Sequence, residues 1–142
     1  MVILNNQDSF KAVLLDHYRH PRNHGRLDKA DVVKRGRNPR CGDEVEVGVT
    51  FDGDKLEKVV FAGRGCSICI ASASMMTEAV IGKNRSEASA LYHQITGWFS
   101  DDAGMEEIAR PLQALAAVRA YPARKRCVLL AWQALNEALS IN

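Results

Sequence analysis

Residues 44–80 read EVEVGVTFDGDKLEKVVFAGRGCSICIASASMMTEAV, and along this stretch the apolar pattern changes its period. Val45, Val47, Val49 and Phe51 alternate with polar or small residues, as a strand with one buried face requires. Asp52, Gly53 and Asp54 supply hairpin-turn chemistry, and KLEKVVFAG returns as a second strand. From Ser67 onward the spacing turns helical and stays so, in segments at 67–81, near 86–99, 104–118 and, after Pro122, 123–139. Strands early and helices late predict an α+β fold: a small antiparallel sheet of about three strands in the N-terminal half, packed against helices.

Upstream, residues 7–20 place Phe10, Val13, Leu14 and Tyr18 at helical spacing, with Asp8 or Ser9 available as a cap and Pro21 as the stop. The following PRNHGRLDKADVVKRGRNPRCGD reads mostly as loop, with one edge strand at Val32 and Val33. At 142 residues without repeats or low-complexity tracts, the chain is expected to form a single domain, 1–142, whose core needs no disulfide staples. With 46% hydrophobic and 25% charged residues the composition is that of a globular protein, and no apolar run approaches the roughly 20 residues of a membrane span. MVILNNQDSF lacks the features of a secretory leader, so a cytoplasmic location is expected. A net charge of +2 gives no argument for a nucleic-acid partner.

Four cysteines in a reducing compartment point to metal ligands or reactive thiols rather than disulfides. Cys41 lies in the loop NPRCGDEV, with Asp43 two residues on, so a thiol and a carboxylate can point to one side of an extended chain. Cys66 opens a helix after GRG, where unpaired N–H groups favour a thiolate. Cys127 follows Arg124, Lys125 and Arg126, and that crowding of cations is expected to ease its ionisation. Cys41, Asp43, Cys66 and Cys127 together suit a tetrahedral Zn²⁺ site or an open corner for an iron–sulfur cluster. Cys69, between Ile68 and Ile70, reads as a core residue. Met75, Met76, Trp98 and Trp132 also fit helical core positions. His20 and His24 could share a metal only on a continuous helix, which Pro21 interrupts.

YRHPRNHGRL, CGDEV, GRGCSICIASASMMTEAV and YPARKRCVLLAWQAL, in that order, resemble the IscU/NifU N-terminal family of iron–sulfur cluster assembly proteins. Arg126, where IscU scaffolds carry histidine, and a longer segment between Cys66 and Cys127 around HQITGWFSDDAGMEE resemble the SufU branch. The resemblance implies the fold already expected. It implies that Cys41, Asp43, Cys66 and Cys127 hold one zinc ion or, in scaffold members, a nascent [2Fe–2S] cluster. It further implies persulfide transfer from a pyridoxal-phosphate cysteine desulfurase of the SufS type to Cys41, with downstream iron–sulfur assembly proteins as later partners. Whether the chain is a sulfurtransferase-like carrier or a non-enzymatic scaffold stays open at this stage. Cys69 departs from the family pattern, which leaves a disulfide with Cys66 or alternative ligation open as well.

Two readings from other classes compete. A strand followed by C-x-x-C at a helix start is the context of a thioredoxin-like oxidoreductase, but that fold needs alternating βαβ units. A purely structural zinc domain fits less well with a ligand set that includes an aspartate among loops.

Overall fold

A computed structural model describes the backbone of residues 6–39, 42–100 and 110–140. Helix α1 spans Asn6–Arg19, strand β1 Val32–Asn38, β2 Asp43–Asp52 and β3 Lys55–Arg64. Helices α2 (Ser67–Val80), α3 (Arg85–Trp98) and α4 (Lys125–Leu139) follow, with 3₁₀ segments at Arg110–Val118 and Pro122–Arg124 before α4. The three strands form an antiparallel sheet in the order β1-β2-β3, in which Asn38 pairs with Asp43 and Val47 with Phe61. This is the expected α+β architecture.

One face of the sheet is buried. Val45, Val47, Val49, Leu56, Val59 and Phe61 point inward and are fully buried, while Glu44 and Glu46 alternate with them on the outer face. Helix α4 packs on β1 and β2, and α2 on β3 and α4. Gly36 shows how close that approach is, because a Cβ at this position would overlap the Leu130 carbonyl. On the outer face Arg35 pairs with Glu44 at 2.9 Å, and Arg37 reaches the same carboxylate at 3.8 Å.

The segment HPRNHG proves to be a fastener. Arg22 N–H donates to Ser74 Oγ (2.8 Å) and Asn23 Nδ2 to Thr77 Oγ1 (2.9 Å), which ties the turn to α2. Gly25 N–H donates to the Phe61 carbonyl and Phe61 N–H to the Asn23 carbonyl, which covers the outer edge of β3. Asn23 takes the positive φ of 57° that this path requires. Buried His17 completes the join, with Nδ1 2.7 Å from Ser74 Oγ. His24 stacks at a tilt on Phe61 and, like His20, is exposed, so neither histidine takes part in a metal cluster among the described residues.

Two expectations need correction. The helix expected over 104–118 is a 3₁₀ segment over Arg110–Val118, and its earlier part lies outside the described residues. Pro111 contributes no N–H near the start of this run, which keeps the tighter i→i+3 pattern. The last helix begins at Lys125 rather than 123, after the short 3₁₀ turn that Pro122 opens.

Candidate metal centre

Three element ends converge at one end of the sheet. Asp43 is the first residue of β2, Cys66 is the N-cap of α2, and Cys127 is the third residue of α4. One ligand atom from each lies within 4.8 Å of the other two. Asp43 and Cys127 are buried and Cys66 is partly exposed, so the cluster has a closed floor and one open side. The antiparallel register sets Asp43, the β2–β3 hairpin returns the chain to Gly65 and Cys66, and packing of α4 across β1 and β2 brings in Cys127.

The Cys127 thiol donates to Asp43 Oδ2 at 3.5 Å. Burial, then the hydrogen bond and charge of Cys66, then Asp43, push this thiol up to about 12. Easy ionisation, expected from Arg124, Lys125 and Arg126, is therefore corrected. Desolvation and two acidic neighbours outweigh the cations. Arg124 acts on the site: its exposed guanidinium interacts with Cys127 and Cys66, which raises its own pKa. Arg126 instead lines a separate cavity of about 340 Å³ with Arg37 and Asn38.

Cys69 is fully buried in α2, as the sequence reading has it, yet it lies beside the cluster. Gly65 makes this possible. A Cβ there would stand 2.9 Å from Cys69 Sγ and 3.3 Å from Asp43 Oδ1, so a bare backbone is what lets the thiol and the carboxylate share one wall. Burial first, then the charge of Asp43, drives the Cys69 thiol well above its ordinary range. Gly65 carries no ligand, and the sequence marks it only by its place between the strand end and Cys66 in GRGC.

The arrangement thus brings together Asp43, Cys66 and Cys127 of the four expected ligands, while Cys41 lies outside the described residues, as does Arg40. One oxygen and two thiol donors in a partly dry pocket fit a borderline-soft divalent cation such as Zn²⁺. Without a cation, burial together with Cys66 and Asp43 keeps the Cys127 thiol protonated.

The family model for the NifU-like N-terminal domain matches residues 9–141. The chain belongs to that family. This NifU-like domain is 42% identical to the iron–sulfur cluster assembly scaffold protein IscU of Streptococcus pyogenes serotype M1, over 92% of this chain and 82% of the relative. It is 37% identical to the zinc-dependent sulfurtransferase SufU of Bacillus subtilis (strain 168), over 92% and 89% of the two chains. Among solved structures it resembles a putative iron–sulfur cluster assembly scaffold protein for the SUF system from Fervidobacterium islandicum AW-1, with a TM-score of 0.83, 35% identity and coverage of 90% and 94%. The domain is therefore a member of the iron–sulfur cluster assembly proteins that include IscU and SufU. Among the described residues no helix is long and apolar enough to cross a membrane.

Proposed function

We propose that this domain is a zinc-binding sulfur acceptor that works in the cytoplasm and receives persulfide sulfur from a pyridoxal-phosphate cysteine desulfurase. The observation that carries this reading is the convergence of Asp43, Cys66 and Cys127 within 4.8 Å. Cys41, two residues from Asp43 and followed by Gly42, is the fourth ligand and the accepting thiol. The Bacillus subtilis relative named for zinc-dependent sulfur transfer supports the choice of cargo.

Bound there, zinc keeps its thiolate ligands deprotonated at neutral pH and holds them as latent nucleophiles. The chain's own groups do the rest. In the metal-free cluster Asp43 accepts a hydrogen bond from Cys127, and as a zinc ligand its oxygen would be the hardest and most exchangeable donor in the set. Arg124 sets a positive charge at the open side, beside Cys66. Cys66 and Cys127 are fixed to helix starts, whereas Cys41 is bracketed by Pro39 and Gly42 between the paired ends of β1 and β2. Freed from its ligand role, the Cys41 thiolate attacks the outer sulfur of the desulfurase persulfide; the new S–S bond forms on Cys41 and the desulfurase cysteine departs as thiolate.

Mass spectrometry after incubation with a desulfurase and cysteine, without reductant, tests this. We expect the mass of one added sulfur on Cys41 and none in Cys41→Ala. Sulfur on Cys66 or Cys127 instead, or persisting in Cys41→Ala, overturns the assignment. A second reading, a scaffold that builds a [2Fe–2S] cluster on the same ligands and passes it to downstream assembly proteins, is favoured by the Streptococcus pyogenes relative named as a scaffold. Metal analysis separates the two: colourless zinc near one per chain supports the carrier, iron and sulfide with visible charge-transfer absorption the scaffold.

A further inference from the structure

We infer that Cys66 and Cys69 form a reversible disulfide that removes Cys66 from the metal centre when the protein meets a peroxide. The proposal rests on the zinc reading above for its consequence, though not for its chemistry. Cys66 occupies the N-cap of α2 in extended conformation, φ −69° and ψ 169°, and Cys69 is the third helical residue. Side chains at N-cap and N3 converge over the first turn, as the reciprocal hydrogen bonds of a capping box show, and Asn84 with Glu87 makes such a box at the start of α3. Cys66 makes no capping hydrogen bond of its own, so its sulfur is not committed to the helix. Gly65 adds no side chain of its own beside Cys69 Sγ, where a Cβ would stand only 2.9 Å from that sulfur.

The two thiols divide the work by exposure. Cys66 is partly exposed and is the sulfur a small oxidant reaches, whereas Cys69 is fully buried and is protected from it. In the first step Cys66 attacks one peroxide oxygen; the O–O bond breaks, Cys66 becomes a sulfenic acid and one water leaves. In the second the Cys69 sulfur attacks the sulfenic sulfur, the S–S bond forms and the hydroxyl departs as a second water with the Cys69 proton. Two thiols are oxidised, one peroxide is reduced, and a dithiol reductant reverses the change. The centre then keeps Asp43 and Cys127 of the three convergent groups and loses its grip on the cation.

The test treats zinc-loaded and zinc-free protein with near-stoichiometric hydrogen peroxide, alkylates remaining thiols under denaturing conditions and maps the peptides. We expect a Cys66–Cys69 cross-link with a deficit of two hydrogens in both samples, and zinc release in step with it in the loaded one, read with a chromogenic chelator. In Cys69→Ser the cross-link is lost and Cys66 proceeds to sulfinic acid; Cys69→Ala gives the same result if the buried hydroxyl disturbs folding. A cross-link of Cys66 to Cys127 or between chains, or Cys69 fully alkylated while Cys66 is oxidised, overturns the proposal. Protein that forms the cross-link but never held zinc overturns the zinc reading alone.

Discussion

Cys127 and Asp43 stand 84 positions apart in the chain, and the sulfur of one lies 3.5 Å from a carboxylate oxygen of the other. The contact joins the start of α4 to the start of β2 and makes each group the other's acidic neighbour.

Replacing that carboxylate by an amide removes a negative charge while keeping a hydrogen-bond acceptor. In metal-free Asp43→Asn we expect Cys127 to titrate below the parent's value of about 12, because the charge that opposed its thiolate is gone. Thiolate absorbance against pH, or the pH dependence of alkylation, reads the shift. An unchanged or higher titration would falsify the electrostatic coupling.

Zinc held through Cys127, as proposed, has to displace that thiol's proton at any pH well below about 12. Apparent affinity is therefore expected to climb by at least ~10-fold per pH unit through the neutral range. Competition against a chromogenic chelator at three pH values checks this, and a flat profile would show that Cys127 is not a ligand.

Gly65→Ala places a methyl group 2.9 Å from Cys69 Sγ and 3.3 Å from Asp43 Oδ1. Both atoms belong to buried side chains, so a loss of about 1–3 kcal/mol in stability is expected, together with weaker metal binding as Asp43 is displaced. Denaturant melts and metal titration measure the two effects. Parent-like behaviour in both would mean that this wall gives way freely.

His17 predicts an acid limb. Burial, with Arg22 beside it, holds the imidazole below its ordinary 6.5, so the unfolded chain takes up the proton first as pH falls. Stability from this group is complete above about 6.5 and drains away as pH drops toward the lower folded value. His17→Asn should flatten that limb of the melting profile. Ser74→Ala, which strips partners from His17 and from Arg22 N–H, should cost about 1–3 kcal/mol near neutral pH.

The hairpin was legible in the sequence because its valines alternate on a face that becomes fully buried, and strand and pattern then agree. KRGRN in β1 carried almost no such signal. It is a strand because Gly36 lets α4 approach to the backbone and because Arg35 and Arg37 meet Glu44 across the pair, and neither partner is local in sequence. Asp43, Cys66 and Cys127 were legible as candidates because each sits where a strand or helix begins. The state of Cys127 was not. Three neighbouring cations in the chain suggest an easily ionised thiol, but burial and the neighbouring Cys66 and Asp43 outweigh them. HPRNHG looked like a possible histidine site and is a fastener instead, since its partners on α2 and β3 lie some 50 residues away or at Phe61.

The placement of the donors at the ends of β2, α2 and α4 has a kinetic meaning. The β2–β3 hairpin brings Asp43 and Cys66 together, but Cys127 arrives only with α4, so no stretch of nascent chain short of α4 can offer the cation all three. Loop closure over such separations comes late in folding. The complete donor set thus marks a chain whose last helix has docked, and a partly built domain offers the ion only part of it.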